Sequence, residues 1–143
     1  MKLDIFSHCT IDTIQIHDSK YVVPGGSACY CSLTARILKF DVNLHTKFGS
    51  DFPFVHYLAE QKIIFEDALS TKPTTQFILK LVNSERTLFF QNKCEPINNT
   101  KLDSDSVIIS PIFDEISIEL FEKIKNNSNF VLLAFLGTTN SEE

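Results

Sequence analysis

Apolar and polar positions along this chain alternate in short blocks, and the period switches between about 2 and about 3.6 residues, the strand and helix repeats. Residues 3–9, Leu-Asp-Ile-Phe-Ser-His-Cys, read as a first strand. Residues 13–16 and 21–23 read as two short strands around the polar turn His17-Asp18-Ser19-Lys20. Helical spacing runs over 26–39, with Ala28, Cys31, Ala35 and Leu38 on one side. A strand is predicted over 41–48, a helix over 54–61 with Val55, Leu58 and Ala59 inward, and a short strand over 63–65. Residues 75–82 and 86–91 flank Asn83-Ser84-Glu85, a hairpin signal. Residues 107–109 form the next strand, and 115–125 an amphipathic helix with Ile116, Leu120 and Ile124 on one face. The run 130–135 is apolar throughout, as buried parallel strands are, and 140–143 reads as a frayed polar tail.

Strands alternating with helices predict an α/β fold, one domain over residues 1–143, with a mostly parallel sheet. The two hairpin-like segments, about 12–24 and 75–91, do not fit inside that sheet. They are expected to form a separate small β sheet projecting from the ligand face.

Composition narrows the function. A hydrophobic fraction of 43% with 13 Phe supports a packed core, and a net charge of −5 argues against an extended nucleic-acid surface. The basic residues Lys39, Lys47, Lys62, Lys80 and Arg86 stand singly. Asp4 interrupts what would be the apolar core of a signal peptide, and the longest apolar run, 130–136, is far short of a membrane span. The expectation is a soluble cytoplasmic protein with no nucleic-acid or membrane partner. Cysteines at 9, 29, 31 and 94 fit no zinc or disulfide spacing, so reduced structural thiols and no metal site are expected.

Candidate chemistry centres on Pro24-Gly25-Gly26-Ser27-Ala28, where a β-rich run meets a helix. Glycine there lets backbone approach a ligand, and the N–H groups of a helix start can meet hydroxyls or anions. The chain's only other glycines are Gly49 and Gly137, which rules out a glycine-rich phosphate loop. Asp12 follows the first strand, where open α/β sheets bind ligands; its carboxylate either accepts substrate hydroxyls or serves a local turn. Tyr30 lies one turn inside the helix and either meets a substrate ring or packs in the core. In Gly49-Ser50-Asp51, Asp51 is expected to cap the following helix. His8, His17, His45 and His56 form no ligand spacing, Asp114-Glu115 reads as a helix start, and Glu142-Glu143 as a solvated tail.

In order, Asp12, Gly25-Gly26, Gly49-Ser50-Asp51, Thr75-Gln76-Phe77 and Asn83-Ser84-Glu85-Arg86-Thr87-Leu88 resemble the N-terminal half of the ribokinase-like (PfkB) carbohydrate kinases, over roughly residues 3–135. The resemblance implies a Rossmann-like sandwich with a β lid, and a substrate site of Asp12, Gly25, Gly26, Tyr30 and Gln76. In the intact family ATP with Mg phosphorylates a hydroxyl of a sugar, polyol or nucleoside. Two departures stand out. Tyr30 occupies a position where the family usually has Asn, and the family's Gly-Ala-Gly-Asp motif, which supplies the anion hole and catalytic Asp, is missing from this sequence. The chain is therefore expected to grip substrate and exclude water rather than catalyse, with no catalytic residue and no bound cofactor of its own. A homodimer through the lid, or a complementary C-terminal half, is the implied protein partner. The alternative is a non-catalytic sugar- or nucleoside-binding or oligomerisation module.

Overall fold

A computed structural model describes residues 1–135; the tail at 140–143, Glu142-Glu143 included, and Leu136 lie outside the described residues. In chain order the elements are β1 (Lys2–Phe6), β2 (Thr10–Ile16), β3 (Ser19–Gly25), α1 (Gly26–Ile37), β4 (Asp41–His45), α2 (Val55–Glu60), β5 (Thr75–Val82), β6 (Glu85–Asn92), β7 (Ser106–Ile109), α3 (Ile118–Asn126) and β8 (Phe130–Leu133). They form two four-stranded sheets. One is wholly parallel, in the order β4-β1-β7-β8. The other, in the order β3-β2-β5-β6, joins two antiparallel hairpins through a parallel β2–β5 seam. The α/β sandwich with a small β lid is thus the observed architecture.

The parallel sheet is covered on both faces, as alternation dictates. Leu3 and Ile5 of β1 join Val42 and Leu44 against Ala28, Cys29 and Ala35 of α1 and Leu58 of α2. Phe6 points the other way and joins Val107 and Ile109 against Leu120 and Ile124 of α3. Small residues line the inward face of α1 (Ser27, Ala28, Cys29, Ser32 and Ala35), so the helix packs closely on the strands. That face is rotated from the expected one: Leu38 is exposed, and so is Ala59 in the second helix. Both helices stop on a lysine in the left-handed region, Lys39 (φ 65°) and Lys62 (φ 59°). In each case the next residue's N–H reaches back around the turn, Phe40 to the Ala35 carbonyl at 2.9 Å and Ile63 to the Leu58 carbonyl at 3.3 Å.

Several boundaries differ from the sequence expectation for physical reasons. The strand expected over 41–48 ends at His45, and that over 63–65 reduces to a single bridge between Asn43 and Ile64. The last helix begins after Ser117, whose hydroxyl accepts the Leu120 N–H at 3.1 Å; Glu115 lies outside it. The apolar run 130–135 does not form a buried strand. β8 is an edge strand with Phe130 61% exposed. The lid hairpin between β5 and β6 turns at Asn83 (φ 49°) and Ser84 (φ 70°), and two left-handed residues match the right-handed twist of the strands they join.

Candidate functional site

The lid sheet springs from the end of β1, so the base of β2 lies beside the start of α1. In the sheet register Thr10 faces Gly25, and Asp12 lies between Val23 of β3 and Phe77 of β5. The Thr10 hydroxyl donates to Asp12 Oδ1 at 2.7 Å. A Cβ on Gly25 would overlap the Asp12 carboxylate, so that glycine exists here to let the carboxylate lie on the backbone. Gly26 has φ +79°, and a Cβ there would strike the His8 carbonyl and Ile112. No side chain caps α1, and the Asp12 carboxylate lies against its N-cap residue, Gly25. Burial pushes the Asp12 carboxyl above its ordinary range, against the opposing hydrogen bond from Thr10.

Tyr30, 58% exposed, stands one turn into α1. Burial raises its phenol, and the negative charge of Asp12 raises it further. Asp12 lies against Gly25, and Gly26 and Tyr30 follow on the first turns of α1. Gln76 does not join them. It pairs in register with Ile11, which puts its side chain on the opposite face of the lid, and its amide donates to Asp51 Oδ2 at 3.0 Å.

Asp51 does not cap the following helix, whose N-cap is Phe54 with no side-chain bond. Its Oδ1 instead accepts from the Thr74 N–H at 2.9 Å and the Thr74 hydroxyl at 2.6 Å, tying the loop after β4 to the root of β5. Desolvation is the largest single influence on this carboxyl and acts upward, but the Thr74 and Gln76 hydrogen bonds together outweigh it and hold it below its ordinary value.

His8, His45 and Glu115, unremarkable by spacing, are structural hubs. Glu115 is fully buried; Oε1 accepts from the N–H groups of Ile112 at 2.7 Å and His8 at 3.3 Å, and Oε2 from Phe113 at 2.7 Å. His8 Nε2 meets the Glu95 carbonyl at 2.8 Å, and a carbonyl only accepts, so Nε2 carries the proton and Nδ1 accepts from the Thr75 hydroxyl at 3.1 Å. Burial pushes His8 below its ordinary value, with Glu115 acting in the opposite direction. His45 stacks on Phe6 with centroids 4.0 Å apart and reaches Asp4 Oδ1 at 2.6 Å.

One group of site-facing residues escaped the sequence analysis. Phe77 pairs with Phe90 across β5 and β6, and Phe113 of the loop after β7 closes on Phe90; the centroid separations are 5.6 Å and 4.7 Å. By register Phe77 and Phe90 share the face of the lid that carries Asp12. A depression of about 520 Å³, lined by Met1, Lys2, Asp103 and Ser104 among others, lies at the opposite end of the parallel sheet and contains none of these groups. Among the described residues no cluster of His, Cys, Asp and Glu could hold a metal ion, all four cysteines are free, and no helix is long and apolar enough to cross a membrane.

No protein-family model matches the chain, and no curated protein does. Solved structures do match. A pyrophosphate-dependent kinase of the ribokinase family, in complex with sulfate, aligns with TM-score 0.81 at 16% identity, over 92% of this chain and 49% of its own. A fructokinase from Halothermothrix orenii aligns with TM-score 0.69 at 16% identity, over 93% and 56%. A nucleoside kinase from Methanocaldococcus jannaschii, an archaeal member of that family, gives TM-score 0.61 at 16% identity, over 92% and 60%. The fold is therefore a partial ribokinase-type sandwich with its β lid. The chain spans about half the length of the first of these structures.

Proposed function

We propose that this chain is the acceptor-holding, lid-bearing part of a ribokinase-type carbohydrate kinase, gripping the sugar, polyol or nucleoside whose hydroxyl is phosphorylated. The observation that carries this reading is the Asp12 carboxylate laid against Gly25 at the uncapped start of α1. A carboxylate accepts two hydroxyl donors at once, and the helix N–H groups beside it can donate to hydroxyl oxygens. The same carboxylate repels phosphate, so this helix start suits an alcohol and not the donor's anionic tail. The donor, ATP with Mg or pyrophosphate as in one solved relative, would be bound by groups outside this site. Four free thiols suit the reducing cytoplasm, the location this reading carries with it.

Calorimetric titration of the 143-residue chain with a panel of sugars, polyols and nucleosides tests the proposal. At least one should bind, and Asp12→Asn should weaken it tenfold or more, because the amide turns one acceptor into a donor and charge-assisted bonds are worth roughly 1.5–3 kcal/mol each. Equal affinities for Asp12→Asn and the parent chain would take Asp12 out of the site and the proposal with it. ATP-dependent turnover by the purified chain would refute the purely acceptor-holding role.

The free edge of β8 favours a second role beside the first, pairing with another chain. Among the described residues nothing pairs along that edge, and Phe130 and Leu132 are exposed on it.

A further inference from the structure

The face of the lid that carries Asp12 is polar at one end and aromatic along the rest. Asp12 is followed across the sheet by Phe77 on the next strand and Phe90 on the one beyond, and Phe113 folds over from the β7 loop to stack on Phe90. Strand spacing puts Phe77 about 4.8 Å and Phe90 about twice that from the carboxylate's strand. Phe90 and Phe113 are 42% and 46% exposed, although nothing forces two large apolar rings to face water together. Phe89, next in sequence, points to the other face, where Lys80 sits 4.9 Å above its ring. The aromatic strip thus belongs to the acceptor side specifically.

We infer that the acceptor is a nucleoside, its ribose hydroxyls at Asp12 and its base lying on the Phe77–Phe90–Phe113 strip; this deepens, and rests on, the acceptor-holding reading above. The argument is one of matched polarity. A cyclic polyol carries hydroxyls around its whole perimeter, and each one buried without a partner is costly. Phe77, Phe90, Phe113 and the neighbouring Val23 have no side-chain atom able to satisfy them. A nucleoside has its hydroxyls at one end and a flat π-face at the other, and bases stack on aromatic side chains whatever their identity. At the far end of the strip Lys93 and Asp114 pair at 2.7 Å beside Phe113, a donor and an acceptor side by side where the polar edge of the base arrives.

The test is calorimetric titration of the full chain with inosine, D-ribose and myo-inositol, on the parent and on Phe90→Leu, Phe113→Leu and Asp12→Asn, each checked for native circular dichroism. Inosine should bind at least tenfold more tightly than either D-ribose or myo-inositol. Phe90→Leu should cut the inosine-to-ribose preference about tenfold, the scale of one lost stacking contact. Phe113→Leu supplies the same measurement should the first variant fold poorly. If myo-inositol binds as tightly as inosine, or both leucine variants keep the full preference for inosine, the nucleoside assignment is wrong while Asp12-dependent binding still upholds the acceptor site. If none of the three binds in an Asp12-dependent way, the nucleoside assignment falls, and the acceptor-holding reading falls with it only if the wider panel of sugars, polyols and nucleosides also fails to bind.

Discussion

Removing the Glu115 side chain should be among the most damaging single changes in this protein, although the residue touches no proposed ligand. Its two oxygens take three backbone N–H groups from two distant parts of the chain, His8 after β1 and Ile112-Phe113 after β7. In Glu115→Ala the Ile112 and Phe113 N–H groups, being only partly covered, turn to water, at a net loss of about 1 kcal/mol each. The buried His8 N–H has no such recourse, and an orphaned buried donor costs about 1–3 kcal/mol. The total is about 3–5 kcal/mol, a large share of the roughly 5–15 kcal/mol typical of a domain, and corresponds to a fall in melting temperature of roughly 10–17 °C. Glu115→Gln keeps the shape and one acceptor but points an amide N–H₂ at a backbone donor, so about half that loss is expected. Urea unfolding followed by far-UV circular dichroism, with slopes compared across parent and variants, measures both. A Glu115→Ala loss under about 1 kcal/mol, or a glutamine variant as unstable as the alanine one, would show that the carboxylate is not what joins the two segments.

Two further outcomes follow from the same geometry. The pKa of His8 is held below its ordinary 6.5 by burial, so the unfolded chain takes up that proton more readily than the folded one. Its contribution to stability is therefore complete above pH 6.5 and declines as pH falls below that value; urea midpoints across this range should drop in the parent and not in His8→Asn, and a midpoint that rises on acidification would contradict the assignment. The exposed apolar edge of β8 should drive association of the purified chain, read by sedimentation velocity at micromolar concentration, and Leu132→Lys should restore the monomer; a parent chain that sediments as a sharp monomer would count against the edge as a docking strand.

Features written into local spacing were legible before the structure. The Asn83-Ser84 turn announced the β5–β6 hairpin, Gly25-Gly26 marked the junction of β3 and α1, and the Leu120/Ile124 stripe found the buried side of α3. What local spacing could not carry were partners chosen from far along the chain. Glu115 and His8 are 107 residues apart, and nothing in either neighbourhood signals the other. Asp51 resembled a helix cap because an acidic residue before a helix usually is one, yet its acceptors were claimed by Thr74 and Gln76 on a strand root that comes later. The strip of Phe77 and Phe90 was missed because each aromatic, taken alone, is an ordinary strand residue. Only the register across β5 and β6 places them beside Asp12.

The parallel seam between β2 and β5 also sets a timetable. Thr10 pairs with Thr75, so each residue of β2 is made 65 residues before its partner on the strand that completes the seam. At roughly 5–20 residues per second that interval is on the order of 3–13 s. Throughout it β2 presents an open edge bearing Ile11 and Ile14. The nascent chain is therefore most exposed to chaperones, and to neighbouring copies on the same message, between the birth of its first hairpin and that of its second.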